Sequence, residues 1–441
     1  MTPTELVPFR SALLVWLKIG CLNFGGPAGQ IALMHRLLVE ERRWISDERF
    51  LHALNYCMLL PGPEAQQLAT YIGWLLHGTR GGLVAGLLFI LPGFVLMVAI
   101  SALFLSFGQQ GWMQSLLLGL HAATLAIVAE AILRLGRKAL KGQGPLLLAL
   151  SAFVAIFALQ LPFPLIIAAA ALAGVVGPRW APGLFPAAGK AAAATPSPAP
   201  AASAWSRALR TLSLGALLWF SPTVLLWLSL GAEHVYTQQA FFFSKMAVVT
   251  FGGAYAVLAY MAQQAVSHYG WLLPGEMVQG LALAETTPGP LILVLTYVGF
   301  LGAYRDPGSL DPMSAGLLGA VLCTWVSFVP CFLWIFLGAP HIERLRQNTA
   351  LAAALAGITA AVVGVIANLA LWFALHVLWA EVDPWWGPLG IELPMPQWSS
   401  LNPTALGLTA LALLAMFGLK WGLGRTLLLC ALASLGLQAW G

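Results

Sequence analysis

A Phe-Gly-Gly run followed by Pro-Gly-Pro occurs twice in this chain. It appears first as Phe24-Gly25-Gly26 with Pro61-Gly62-Pro63, then as Phe251-Gly252-Gly253 with Pro288-Gly289-Pro290, every element displaced by 227 positions. Lys18 and Lys245 share the displacement, as do Trp44 and Trp271, so the two stretches descend from a duplication. Proline lacks an N–H and blocks a carbonyl four residues back, and glycine leaves room around the backbone. Each Pro-Gly-Pro therefore ends one helix and begins another. Any fold for this chain must accommodate two matched pairs of interrupted helices.

The environment of those breaks follows from composition. Of 441 residues, 60% are hydrophobic and only 8% charged, against about 25% charged in a soluble domain. This is the balance of an all-α polytopic membrane protein. The formal charge of +5 sits in a few connecting segments, where it reports orientation and not nucleic-acid binding. Met1 to Arg10 has no small-residue cleavage site after it, so the first helix is expected to be retained. Cys21, Cys57, Cys323, Cys331 and Cys430 have neither CxxC nor metal-type spacing, and there is no HExxH; they read as plain thiols, with no metal site. Gly183 to Lys190 has one residue too many for a phosphate loop, with Ala191 where Ser or Thr belongs, which argues against nucleotide-driven transport. No Rossmann, flavin or haem motif supports a membrane-embedded oxidoreductase, so no enzyme activity and no cofactor are expected.

Between Gly177 and Ser206 the chain turns Ala/Pro/Ser-rich, through Thr195-Pro196-Ser197-Pro198, a composition that reads as a connector. It separates an N-terminal repeat (1–178) from a C-terminal one (209–441) that begins with an extra helix, the connector covering 179–208. After the second Pro-Gly-Pro the displacement becomes 238, pairing Pro92 with Pro330 and Gly119 with Gly357. Equivalent loops carry opposite charge patterns. Arg36, Arg42, Arg43 and Arg49 crowd the first loop of one half, while Ala262 to Glu276 has no Lys or Arg. Arg134, Arg137, Lys138 and Lys141 correspond to a region with Glu381 and Asp383, and Arg344 and Arg346 to the uncharged Ser106 to Trp112. The positive-inside rule then orients the halves oppositely, as inverted-topology repeats.

A span needs about 20 apolar residues, and the segments flanking Pro61-Gly62-Pro63 are shorter. They read as re-entrant hairpins, with full spans expected near 82–106, 111–134, 145–161, 163–178, 209–231, 313–338, 349–380, 404–419 and 426–440. This count puts the N-terminus in the cytoplasm and the C-terminus outside, with Trp385, Trp386 and Trp398 as interfacial anchors. Gly82 and Gly86, spaced GxxxG, read as a helix-packing face.

Backbone freed inside a membrane must meet protein, water or a ligand, and a helix N-terminus carries about half a positive charge. Paired Gly/Pro-interrupted segments in two halves are the sequence pointer to a transporter's substrate site. Expected anion-binding groups are Lys18, Asn23, Gly25, Gly26, Pro61, Gly62, Pro63 and Gln66, with Lys245, Thr250, Gly252, Gly253, Thr287, Pro288, Gly289 and Pro290 in the second copy. Glu64 and Glu285 accompany the breaks as carboxylates able to couple transport to protons. His121 and Glu130 align with Thr359 and Asn368 and read as helix-helix or cavity-facing polar positions.

These residues have a family resemblance. Phe24-Gly25-Gly26-Pro27, Pro61-Gly62-Pro63-Glu64-Ala65-Gln66, Pro92-Gly93-Phe94, Phe251-Gly252-Gly253 and Glu285-Thr286-Thr287-Pro288-Gly289-Pro290 resemble the chromate ion transporter family in its long, two-domain form. The resemblance implies chromate efflux across the bacterial cytoplasmic membrane, with sulfate as the natural isostere, and two oppositely oriented homologous domains. The expectation is a secondary transporter driven by the proton motive force, with chromate or sulfate and the lipid bilayer as partners, no nucleic acid, and a homodimer as a compatible assembly. The copies differ where Ala254 stands for Pro27 and Leu291 for Glu64.

Overall fold

The structure, a computed structural model, describes residues 7–24, 26–108, 110–184, 202–251, 254–339, 349–387 and 392–440. Gly25, Gly252, Gly253, Arg344, Arg346 and the central part of the connector lie outside the described residues. The first part of the chain forms α1 (Phe9–Leu22), α2 (Gly26–His35), α3 (Asp47–Cys57), α4 (Glu64–Phe107), α5 (Gly111–Ala139), α6 (Gln143–Phe157) and α7 (Phe163–Trp180). After α8 (Ala202–Leu230) come α9 (Val235–Val249), α10 (Ala254–Gln263), α11 (Pro274–Thr286), α12 (Val294–Arg305), α13 (Pro312–Gly338) and α14 (Thr349–Leu378), then α15 (Pro403–Leu413) and α16 (Leu423–Trp440).

The breaks fall where glycine and proline put them. α1 stops at Leu22 before Phe24-Gly25-Gly26, and α9 stops at Val249 before Phe251-Gly252-Gly253. α2 and α10 each run into a π-helical turn, Arg36–Glu41 and Gln264–His268, so a wide turn recurs at equivalent places in the two copies. α3 is started by Ser46, whose side chain accepts from the Arg49 N–H at 3.3 Å, with Asp47 and Glu48 on the positive end of the helix. At 11 residues and 1.5 Å each, α3 is about 17 Å long, well short of the ~30 Å hydrocarbon layer. α4 is two helices, because His77 (φ −141°) and Gly78 (φ 60°) leave helical geometry.

Among the described residues, six helices are long and apolar enough to cross a membrane: Glu64–Phe107, Gly111–Ala139, Phe163–Trp180, Ala208–Leu230, Pro312–Gly338 and Thr349–Leu378. The chain is a multi-pass α-helical membrane protein. The other expected spans fall on shorter helices; α6 ends at Phe157, ahead of Gln160 with its left-handed φ of 48°. A feature not anticipated is a small antiparallel ribbon, β1 (Val382–Trp386) with β2 (Glu392–Pro396), in register from Val382 opposite Pro396 to Trp386 opposite Glu392. Its Pro384, Pro394 and Pro396 mask strand character in the sequence. Trp385, Trp386 and Trp398 are all exposed.

The chain divides into two compact units. One comprises Met1–Ala99, Lys190–Ala254 and Thr287–Thr349; the other comprises Ile100–Gly189, Tyr255–Thr286 and Ala350–Gly441. Each unit draws on both sequence halves, so compactness does not follow the division at the Ala/Pro-rich connector. In the first unit α1 buries Ala12, Val15, Trp16 and Ile19, one helical stripe. That stripe belongs to a core with Met34, Leu38, Phe50, Tyr56, Leu68 and Phe89. A β-carbon on Gly82 or Gly86 would strike the rings of Phe336 and Phe332 respectively, so the GxxxG stripe of α4 is a packing face against α13. In the second unit Gly174 and Gly357 bring α7 and α14 to backbone contact, and Gly119 brings α5 against the Cys430 carbonyl. Small residues that let backbones meet are the usual means of association in lipid, where hydrocarbon supplies little drive for burial.

Candidate functional site

The geometry of the first unit starts from its two Pro-Gly-Pro elements. Gly62 has φ +124° and Gly289 φ +107°, conformations closed to L side chains. Space is also denied: a β-carbon on Gly62 would lie 2.8 Å from Gln67 Nε2 and 2.9 Å from Cys331 Sγ, and one on Gly289 would lie 2.7 Å from Leu293. The turned backbone then exposes each glycine N–H. Gly62 N–H donates to the Thr250 carbonyl at 2.8 Å. Gly289 N–H donates to Asn23 Oδ1 at 2.6 Å and leans on the Asn23 carbonyl at 3.4 Å.

Asn23 and Thr250 are equivalent at the 227 displacement, and so are Gly62 and Gly289. The Pro-Gly-Pro of each copy thus hydrogen-bonds to the residue that precedes Phe-Gly-Gly in the other copy, in both directions. A third pair joins them at the displacement of 238. A β-carbon on Gly93 would run into the Pro288 carbonyl, while Cys331, its equivalent, sets its sulfur against Gly62. Each break is therefore closed by a small residue from a long helix, α4 in one case and α13 in the other.

Side chains then make the two junctions unequal. Asn23 is fully buried and also donates from Nδ2 to the Phe89 carbonyl at 3.3 Å. Gln30, buried in α2, donates from Nε2 to the Gly289 carbonyl at 2.6 Å and to the Asn23 carbonyl at 3.0 Å. Thr250 spends its hydroxyl on the Met246 carbonyl at 2.6 Å, so it serves Gly62 through main chain alone. In the first turn of α4, Gln67 Nε2 donates to the Pro61 carbonyl at 2.7 Å and Gln66 Nε2 to Thr70 Oγ1 at 3.0 Å. The equivalent turn of the second copy is a 3₁₀ turn of buried Leu291, Ile292 and Leu293.

Of the expected site residues, Asn23, Pro61, Gly62, Pro63, Gln66, Thr250, Thr287, Pro288, Gly289 and Pro290 lie in or beside these two junctions. Thr287 is buried and donates to Met97 Sδ at 3.5 Å. Gly26 begins α2 with φ +68°. Glu64 stands half-buried at the first position of α4. Lys18 and Lys245 are exposed, off the buried stripes of α1 and α9. Glu285 is buried in the last turn of α11 and belongs to the second unit. Gly25, Gly252 and Gly253 lie outside the described residues. Gln30 was not singled out from the sequence, and Gly93 and Cys331 were noted there only as part of a family motif and as a plain thiol, not as site residues. Gln30 carried a signal, an amide in one copy where the other has Val257; Gly93 and Cys331 declare themselves only through what they touch.

The loop between the two breaks of the first copy carries a titratable clamp. His35 Nε2 lies 2.6 Å from Asp47 Oδ1 and its Nδ1 3.1 Å from Glu40 Oε1, so carboxylates at both ring nitrogens favour the imidazolium. The Asp47 hydrogen bond does most to raise its pKa above the ordinary 6.5, against some desolvation. The folded state then holds this proton more tightly than the unfolded chain. The stabilisation is complete below pH 6.5 and is lost as pH rises through the raised folded value. Because the group is partly exposed, the effect is screened and small. Thermal midpoints of the detergent-solubilised protein and of His35→Gln should differ in mildly acidic medium and converge in alkaline medium; a constant difference would exclude the imidazolium as its source.

A cavity of about 290 Å³ lies in the second unit, lined by Gln160, Gln263, Ser267, Asn368, His376 and Asp383 among others. None of the expected anion-binding or coupling residues lines it, whereas Asn368, read from the sequence as a helix-helix or cavity-facing position, does. His376 donates from Nδ1 to the Trp372 carbonyl at 2.8 Å in its neutral form, which leaves Nε2 as the acceptor.

The sequence profile described as Chromate transporter matches residues 10–175 and 237–437. The chain is 31% identical over 362 residues to the "Chromate transport protein" of Cupriavidus metallidurans, covering 81% of this chain and 80% of that one. It is 32% identical over 379 residues to the "Chromate transport protein" of Pseudomonas aeruginosa, covering 82% and 81% respectively. No solved structure matches the chain. With the profile covering both copies of the broken-helix pattern, the chain belongs to the chromate transporter family.

Proposed function

We propose that this protein exports chromate from the cytoplasm as a secondary transporter, with the oxyanion bound at the two junctions of the first compact unit. The observation that carries this reading is the crossed pair of hydrogen bonds, Gly62 to Thr250 and Gly289 to Asn23. They assemble interrupted helices of both copies in one place, where helix N-termini favour an anion. The halves act as inverted repeats, with hairpins re-entering at the breaks, the N-terminus cytoplasmic and the C-terminus outside. Rocking about the junctions gives alternating access. Glu64 and Glu285 exchange protons with the gradient, and exposed Lys18 and Lys245 attract the anion toward the junctions by long-range charge.

Uptake of labelled chromate into inverted vesicles tests this reading. It should be saturable and should collapse with an uncoupler; no uptake above empty vesicles would overturn it. Excess sulfate in the same assay separates a chromate carrier from a general sulfate carrier. Lys245→Ala should slow uptake several-fold at low ionic strength and less at high ionic strength, since exposed charges are screened within about 10 Å at 0.1 M salt. An unchanged rate at low salt would remove Lys245 from the mechanism.

A further inference from the structure

The first turn of α4 carries acceptors where an anion site would be expected to carry donors. Gln67 gives its amide nitrogen to the Pro61 carbonyl, and only a nitrogen can donate there, so its Oε1 must face the other way. Thr70 spends its own hydrogen on the Gln66 carbonyl at 3.0 Å. Its oxygen must therefore accept from Gln66 Nε2, which fixes that amide as well. Both side chains are fully buried. Neither Gln66 Oε1 nor Gln67 Oε1 has a hydrogen-bond partner among the described residues. Gln67 folds into the break itself, against the position a β-carbon of Gly62 would take. Ser327, one turn along α13 from Cys331, likewise has a buried hydroxyl without a partner among the described residues.

A buried acceptor left without a donor is costly, because it has given up its hydrogen bonds to water and gained none in return. Two of them beside the positive N-terminal end of a helix call for a ligand that accepts at one end and donates at the other. A bare tetrahedral dianion does not meet that demand, because all its oxygens are acceptors and would set lone pairs against the glutamine oxygens. A monoprotonated oxyanion does meet it. If chromate is the cargo, as proposed above, we infer that the junction at Gly62 binds it as hydrogen chromate, its O–H donating to a Gln66 or Gln67 carbonyl oxygen and its anionic oxygens facing the helix N–H groups. This would separate chromate from sulfate without any difference in shape. Chromic acid gives up its second proton near neutral pH, whereas hydrogen sulfate is far stronger and sulfate is fully ionised there.

The titratable groups at the turn are Glu64 on α4 itself, Cys57 on α3, which interacts with Glu64, and Cys331 on α13, whose sulfur lies against Gly62; Lys18 on α1 and Lys245 on α9 are exposed. Of these, a protonated Glu64 is the rival donor, and the test must separate it from the ligand. Chromate uptake is measured in inverted vesicles of the full chain from mildly acidic to mildly alkaline medium, for wild type, Glu64→Gln and Gln67→Leu. The KM for total chromate should rise with pH as the hydrogen chromate fraction falls in wild type, and the same dependence should persist in Glu64→Gln even where loss of the coupling carboxylate lowers its maximal rate. At one fixed pH, phosphate, which keeps an O–H, should compete at least several-fold better than sulfate, and Gln67→Leu should narrow that preference. A KM independent of pH, equal competition by sulfate and phosphate, or loss of the pH dependence in Glu64→Gln would each overturn the inference while leaving chromate transport standing. Absence of uptake at every pH overturns the transport reading itself.

Discussion

Asn23→Leu should reduce the initial rate of chromate uptake by about tenfold or more, while Thr250→Val, its equivalent in the other copy, should leave most of it. The two residues occupy matching positions and serve matching glycines, but by different atoms. Asn23 receives the Gly289 N–H on its side chain at 2.6 Å and ties α1 to α4 through the Phe89 carbonyl. Leucine keeps the branching and heavy-atom count of the side chain and removes both bonds. The Gly289 N–H would keep only the long 3.4 Å approach to the main chain, and a stranded buried donor costs about 1–3 kcal/mol, where 1.36 kcal/mol is about tenfold in rate. Thr250 meets Gly62 through its backbone carbonyl, which valine retains. The loss there is one helical back-bond to Met246, within the roughly 0.5–1.5 kcal/mol of an ordinary hydrogen bond. Vesicle uptake normalised to the amount of protein in the membrane decides the matter. Equal defects in both variants, or none in Asn23→Leu, would dissolve the junction as a functional unit.

The second large effect is expected at Gly93. Gly93→Val should lower the thermal midpoint of the solubilised protein strongly or prevent its accumulation, whereas Cys331→Val should do neither to the same degree. The β-carbon of residue 93 would run into the Pro288 carbonyl, and that carbonyl is held by Gly289 with φ +107° on one side and a proline ring on the other. Neither can give way without dismantling the turn. Overpacking in a close-packed interior costs about 1–3 kcal/mol even where side chains can adjust, and here the obstacle is backbone. Position 331 already accepts a side chain, whose sulfur fills the space over Gly62. A Gly93→Val protein that melts and transports like wild type would show that the approach of α4 to Pro288 is not close in the folded molecule.

Much of the helical organisation was legible because glycine and proline act locally. α1 and α9 stop where Phe-Gly-Gly demands, and α4 starts at Glu64, one residue past Pro63, since a ring-locked φ and a missing N–H act whatever surrounds them. The ribbon at Val382–Trp386 was not legible, since its prolines hide the alternation that marks a strand. Gln66 and Gln67 show the limit more sharply. As residue types they offer donors to an oxyanion, but the structure engages both amide nitrogens within the protein and leaves the carbonyl oxygens. Which end of an amide is available depends on neighbours at Pro61 and Thr70, and composition contains nothing about that.

By itself, the sequence determined that this is a membrane protein with duplicated, interrupted helices, because hydropathy and backbone restriction are properties of residues and their spacing. The tertiary structure alone decided that each Pro-Gly-Pro closes on the other copy, through Thr250 for Gly62 and Asn23 for Gly289. It also decided that the compact units cut across the two halves. A break in a helix frees donors and acceptors without naming their partners. Which groups satisfy them is settled only when segments more than 180 residues apart come within hydrogen-bond reach, as Gly62 and Thr250 do.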